Sequence, residues 1–252
     1  MIRITTYRAT PLLSPATCEI HFDEMNCDWF RKAINRIYNT NKSRLRKACV
    51  VTDIFHNHDE QTGDTKTGYP MIIYHKIDGL FYLTSINEGV DTVKELLADT
   101  SRPVEVDKNI YLKFEVARVE ETEVDICATP RQFSITDCLP FRTNETNKTF
   151  LELRAVNEKI QFLENLLTTH IKNDFAKYLH LDLTDFQLSI TDFDNLQRQQ
   201  VKVVLSKHPH YFQPISLAID INVNLPEFVC LGNNKALGYG RIMKLTAPST
   251  PT

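Results

Sequence analysis

The chain has 252 residues, 42% of them hydrophobic and 24% charged, a globular composition that excludes a disordered or fibrous protein. No apolar run approaches the roughly 18 residues that a membrane-spanning helix needs, and the opening residues alternate polar with apolar instead of building a signal-peptide core, so a soluble cytoplasmic protein is expected. The net charge of −3 excludes indiscriminate coating of nucleic acid, which is driven by phosphate neutralisation and accompanies a strongly basic chain.

Residues 3–13 alternate as a strand does, and residues 26–38 place Phe30, Ala33, Ile34 and Ile37 on one helical stripe with Arg31, Lys32 and Arg36 outside it. Residues 47–55 (KACVVTDIF) are β-branched and apolar and read as a strand ending at Phe55. A polar loop leads to a strand over 70–75, Asp78-Gly79 suits a hairpin turn into 80–86, and 90–97 returns to helical spacing before 109–119 alternates strongly. The order is β-α-β-β-α-β, which defines a ferredoxin-like (RRM-like) domain.

A second pass begins near Val124. Residues 126–135 read as a strand, and Thr149-x-x-Glu152 has the form of a capping box opening a long helix. Phe150, Leu153, Ile160, Leu163, Leu167, Ile171 and Phe175 make its apolar stripe, which suits packing on its own sheet or, alternatively, a homodimer surface. Strands are expected over 186–190, 200–206 and 215–225, with the second helix short or missing. The expected class is therefore α+β, two ferredoxin-like domains in tandem. Residues 1–122 form the N-terminal one and residues 123–252 the C-terminal one.

Positive charge is clustered. Seven bases and no acid occur over 31–47 (Arg31, Lys32, Arg36, Lys42, Arg44, Arg46, Lys47), and the stretches 195–219 and 228–252 hold three bases each without an acid. Either one face of the protein is basic, or the charges balance in space. The six cysteines (Cys18, Cys27, Cys49, Cys127, Cys138, Cys230) contain no C-x-x-C pair and are expected to be reduced.

Of only seven glycines, Gly232, Gly238 and Gly240 fall within nine positions, in a segment that also holds Lys235 and Arg241. Free backbone N–H groups beside two cations suit a phosphate chain. The segment matches neither a P-loop nor a dinucleotide fingerprint, so nucleotide hydrolysis and hydride transfer lose support, and the plain alternative is a tight turn between C-terminal strands. In Phe55-His56-Asn57-His58-Asp59-Glu60 two imidazoles stand two apart. They could serve acid/base chemistry, ligate a metal together with Asp59, Glu60 or His75, or be surface histidines without a role.

Three stretches in this order resemble the CRISPR-associated Cas-six family: FHNHDE at 55–60, GYPMIIYHKIDGLFYLTSINEG at 68–89, and the glycine-rich LPEFVCLGNNKALGYGRI at 225–242. Arg46-Lys47 stands where the family often has Arg-Gly, and Asn233-Asn234 where it has small or basic residues. The resemblance implies a repeat-RNA endoribonuclease of the RAMP superfamily. It would cleave without a metal or other cofactor, leave a 2′,3′-cyclic phosphate and a 5′-hydroxyl, and act in antiviral defence. On this reading His56 or His58 is the general base on the 2′-oxygen, and the other histidine assists or protonates the leaving 5′-oxygen. Lys47 or Arg46 would stabilise the phosphorane and Tyr69 would orient the scissile nucleotide. Gly232, Lys235, Gly238, Gly240 and Arg241 would bind the repeat backbone, with Arg31 and Arg36 as more distant phosphate contacts. The expected partner is CRISPR repeat RNA, with other CRISPR effector subunits as further candidates and no membrane. Two rivals remain, a non-cleaving RNA-binding subunit and an unrelated α+β module with a small-molecule pocket.

Overall fold

The computed structural model describes residues 1–13, 25–48, 53–55, 68–98, 103–107, 110–194, 200–205 and 208–245. Contacts divide the chain into two compact units: 1–122 with 236–238, and 123–235 with 239–252. No helix among the described residues is long and apolar enough to cross a membrane.

In the first unit β1 (Ile2–Leu13) lies between β3 (Leu80–Ile86) and β5 (Ile110–Thr122). Outside them run β2 (Ile72–Ile77) and the four-residue β4 (Val104–Asp107), giving the order β2-β3-β1-β5-β4 with every pairing antiparallel. The first four strands of that order make the ferredoxin-like sheet, and β4 extends its edge. The β2–β3 turn forms at Asp78 and Gly79 because both take positive φ (50° and 77°), the geometry whose twist matches a two-residue hairpin.

Helices α1 (Cys27–Lys47) and α2 (Glu88–Leu96) cover one face of this sheet. Asn26 caps α1 by accepting from the Trp29 amide at 3.0 Å, and Arg44, Arg46 and Lys47 complement the dipole in its last turn. Phe30, Ala33, Ile34, Ile37, Tyr38 and Leu45 are buried against Tyr7, Ala9, Tyr74, Phe81 and Leu83. The strand expected over 47–55 is corrected at its two ends, where Lys47 ends the helix and Asp53–Phe55 is a single 3₁₀ turn; 49–52 lie outside the described residues. Leu45 carries the apolar stripe onward, and Phe55 spends its ring on Tyr38, 4.8 Å away and nearly parallel, in the helix-side core instead of in a ladder.

In the second unit the order is β11-β6-β10-β7, formed by β6 (Ile126–Cys138), β7 (Leu188–Asp194), β10 (Ile215–Val223) and β11 (Arg241–Lys244). This repeats the ferredoxin-like order, with β8 (Val201–Leu205) and β9 (His208–Phe212) inserted as a separate hairpin. Strand β10 alternates buried and half-buried residues throughout, as its Ile219, Ile221, Val223 pattern requires. Where the second helix would stand, the described chain has only a 3₁₀ turn, Lys235–Leu237.

The helical segment is broken in two, α3 (Asn144–Glu152) and α4 (Val156–His170), and α4 runs into a π-helical turn, Ile171–Ala176. The capping box expected at Thr149 is therefore corrected: Thr143 and Thr146 form it, Thr146 N donating to Thr143 Oγ1 at 3.1 Å, while the Thr149 hydroxyl donates to the Glu145 carbonyl inside the helix. The chain turns extended at Leu153 and Ala155, and the Ala155 N–H donates to the Glu158 carboxylate at 3.4 Å. Phe150, Leu163, Leu167, Ile171 and Phe175 are buried within the unit, so the stripe is used for its own core.

Candidate nucleic-acid interface

The two expected catalytic imidazoles, His56 and His58, lie outside the described residues, as do Asp59 and Glu60. Arg46 and Lys47 lie in the last turn of α1, both exposed. Tyr69 is buried just ahead of β2.

The acid-free run on α1 is not acid-free in space. Arg31 and Lys32 both pair with Asp28, at 2.6 and 2.7 Å. Arg36 reaches Asp107 at 2.8 Å and also donates to the Val106 carbonyl, and Arg44 meets Glu95 at 2.7 Å. Two of these four cations, Arg36 and Arg44, are matched by carboxylates that β4 and α2 bring from far along the chain. Arg31 and Arg36 keep partly exposed guanidinium groups, each already holding a carboxylate.

The glycine-rich segment is built around close backbone approaches. Gly240 has φ 74° and donates its N–H to the Thr136 carbonyl at 3.0 Å, while its own carbonyl accepts from the Leu231 N–H at 2.9 Å. A β-carbon there would run into the Leu231 carbonyl oxygen. Gly238, with φ 79°, clusters with the first unit, and a β-carbon on it would stand 2.6 Å from the Tyr74 carbonyl oxygen. These two glycines thus have a steric reason that involves no ligand.

Gly232 bridges to Leu139, and Asn233 donates its N–H to the Leu139 carbonyl at 2.8 Å and its side-chain amide to the Phe141 carbonyl. Lys235 is only 13% exposed along its side chain, donating to the Gly232 carbonyl at 2.9 Å and to Asp174 at 3.1 Å. Arg241 opens β11 opposite Thr136, with its Nε buried and without a hydrogen-bond partner among the described residues. Beneath the segment, burial pushes the Cys138 thiol up to about 12 against the opposing charge of Lys235, so this sulfur stays protonated and inert. None of the four described cysteines, Cys27, Cys127, Cys138 and Cys230, forms a disulfide.

The free backbone N–H groups expected here are corrected at Asn233 and Gly240, whose N–H groups are bonded to Leu139 and Thr136; what the segment holds in place by its own backbone is one cation, Lys235, through the Gly232 carbonyl. The sequence singles out the glycines and Lys235 as phosphate-binding candidates, and it singles out neither His170 nor Asp174. The spacing His170-x-x-x-Asp174, one helical turn apart, was the available signal.

Residues 34–124 match the Cas6b N-terminal domain family. That span covers the basic end of α1, the segment Phe55–Glu60 and the β2–β3 hairpin with its Tyr69-Pro70 approach. None of the curated proteins matches the chain. Among solved structures, a Cas6b aligns over 97% of this chain and 100% of its own with a TM-score of 0.65 and 14% identity. A CRISPR RNA processing endoribonuclease Cas6b aligns over 96% and 100% with a TM-score of 0.53 and 13% identity. Csf5, a CRISPR-Cas type IV Cas6 crRNA endonuclease, does so over 97% and 100% with a TM-score of 0.55 and 11% identity. At such identities the likeness is one of fold.

Proposed function

From a chain that resembles the Cas6 proteins in sequence over its N-terminal domain and in fold over nearly its whole length, we propose a cytoplasmic endoribonuclease that cuts CRISPR precursor RNA within its repeats. One observation carries the reading. The span that matches the Cas6b domain holds the paired histidines and the end of the basic helix, the residue types that metal-free RNA cleavage needs.

In RNA the 2′-hydroxyl already sits beside the phosphorus, so the protein has only to align it and move protons. His56 or His58 removes the proton from the 2′-oxygen, which attacks the phosphorus. The bond to the 5′-oxygen breaks, and that oxygen takes a proton from the other imidazole. The products are a 2′,3′-cyclic phosphate and a 5′-hydroxyl. Lys47 or Arg46 offsets the charge that builds on the phosphorane, and Tyr69 orients the nucleotide. Gly232, Lys235, Gly238, Gly240 and Arg241 hold the repeat backbone, while Arg31 and Arg36 contact phosphates farther off by exchanging a carboxylate partner for a phosphate.

The test is incubation of the purified protein with its repeat RNA, followed by end-group analysis. The expected result is a cyclic phosphate end formed equally well with chelator present. A His56→Ala, His58→Ala protein should lose on the order of 10²- to 10⁴-fold in cleavage with binding nearly unchanged. Cleavage at the parental rate by that variant would refute the assignment, cleavage abolished by chelator would revive a metal site at the histidine segment, and RNA shifted but uncut would favour a non-cleaving subunit.

A further inference from the structure

One side chain bonded to the glycine-rich segment belongs to neither that segment nor the histidine region. Asp174 lies in the π-helical turn Ile171–Ala176, and groups from three other places converge on its carboxylate. Lys235 donates from the segment at 3.1 Å. Arg142, just ahead of α3, reaches both carboxylate oxygens through one nitrogen at 3.0 and 3.1 Å. His170, at the end of α4, meets Oδ2 through Nδ1 at 3.1 Å, while its Nε2 lies 2.8 Å from the Pro140 carbonyl oxygen.

The cluster is not a loose surface network, since His170 is buried and the Lys235 side chain nearly so. Burial works against ionisation of Asp174, yet the hydrogen bond from His170 and the charge and hydrogen bond of Lys235 outweigh it and hold the carboxyl well below the usual carboxylate range. A π-turn inserted where an α-helix would otherwise continue is a costly feature that recurs at functional sites. Here it carries the carboxylate on which all three basic side chains converge. Through Lys235 and the Gly232 carbonyl, the start of the segment is tied to the helical layer; through Asn233 and Leu139, it is tied to the end of β6.

Resting on the RNA-binding reading above, we infer that Asp174 is the positioning residue of the glycine-rich segment: it sets the RNA-binding conformation of that segment through Lys235 without contacting RNA. A carboxylate that merely stands near a phosphate-binding loop repels the ligand, so neutralising it should tighten binding. A carboxylate that holds the loop in shape does the opposite, because a Lys235 that loses this contact is held less firmly and the segment loses one of its anchors.

The experiment compares the full chain with its Asp174→Asn and Asp174→Glu variants by repeat-RNA affinity across salt concentrations and by amide hydrogen exchange over Gly232–Gly240. Asp174→Asn should weaken binding about tenfold, the scale of one lost charge-assisted hydrogen bond. The salt slope should hold, because no cation is removed, and exchange in the segment should quicken. Asp174→Glu, which keeps the charge, should recover part of both. Equal or tighter binding by Asp174→Asn, with unchanged exchange, overturns the inference. If the parental protein binds no repeat RNA, the function reading fails by itself, and the exchange measurement alone decides the role of Asp174. Should Asp174→Asn fail to fold, Lys235→Met must quicken exchange over the same amides, and unchanged protection there overturns the inference as well.

Discussion

Gly240→Ala separates a glycine kept for backbone geometry from one kept for a ligand. An alanine at φ 74° pays about 1–2 kcal/mol for the left-handed conformation. Its β-carbon also meets the Leu231 carbonyl oxygen, so the two strands of chain must part. Parting them threatens the Leu231 N–H bond to the Gly240 carbonyl (2.9 Å) and the Gly240 N–H bond to Thr136 (3.0 Å), at about 0.5–1.5 kcal/mol each. The sum is about 2–5 kcal/mol, large beside an ordinary domain stability. The control is Gly79→Ala in the exposed β2–β3 turn, where φ is 77° and only the conformational cost applies. The assay is urea unfolding without RNA, followed by far-UV circular dichroism and by the fluorescence of Trp29. That residue is the protein's sole tryptophan and lies in the first unit, so the two signals distinguish the units. Gly240→Ala should move the dichroism transition and destabilise the second unit by clearly more than Gly79→Ala destabilises the first. Equal losses would refute the close-approach argument and return Gly240 to the ligand.

Phe81→Ala removes a fully buried ring stacked on Phe30 at 4.9 Å and near Trp29 at 5.6 Å. It should cost about 3–5 kcal/mol, read as a lower urea midpoint of the Trp29 transition, and a loss under 1 kcal/mol would contradict the packing. Arg36→Gln should reduce the salt slope of RNA binding by about 0.7–0.9, the worth of one phosphate contact, whereas an unchanged slope would leave Arg36 to Asp107 alone. Asp174 has its folded pKa depressed, so its contribution to stability is present above the unfolded value of about 3.9 and is lost as pH falls through the folded one. Unfolding curves of the parental protein and Asp174→Asn should therefore lie apart near neutral pH and converge in strong acid. Curves equally separated at every pH would assign the difference to packing.

The fold was legible wherever burial imposed a simple period. Strand β10 shows its pattern because one side of every residue pair is buried, and Asp78-Gly79 announces its turn because few residues accept positive φ twice in succession. The misread places are those where local propensity and tertiary packing disagree. Residues 47–55 are rich in β-branched and apolar types, yet Phe55 stacks on Tyr38 in the helix-side core. The helix start fell at Thr143 and not Thr149 because both threonines suit a cap, and only the break at 153–155 shows which one is used.

The candidate site was half legible for a related reason. Glycines cluster in sequence when a turn needs them, so Gly232, Gly238 and Gly240 stand out among seven. The carboxylate that fixes Lys235 is 61 residues away and shares its load with an arginine 32 residues in the other direction, and no local pattern records such a meeting. The same holds for α1. Its sequence reads as a run of free cations, but Asp107 and Glu95 arrive from other elements and occupy two of them. Any phosphate that binds Arg36 must therefore share its guanidinium with a carboxylate at 2.8 Å or displace it. The net gain is the difference between two charge-assisted contacts, not the worth of one, so counting bases on this helix overstates how tightly it can hold RNA.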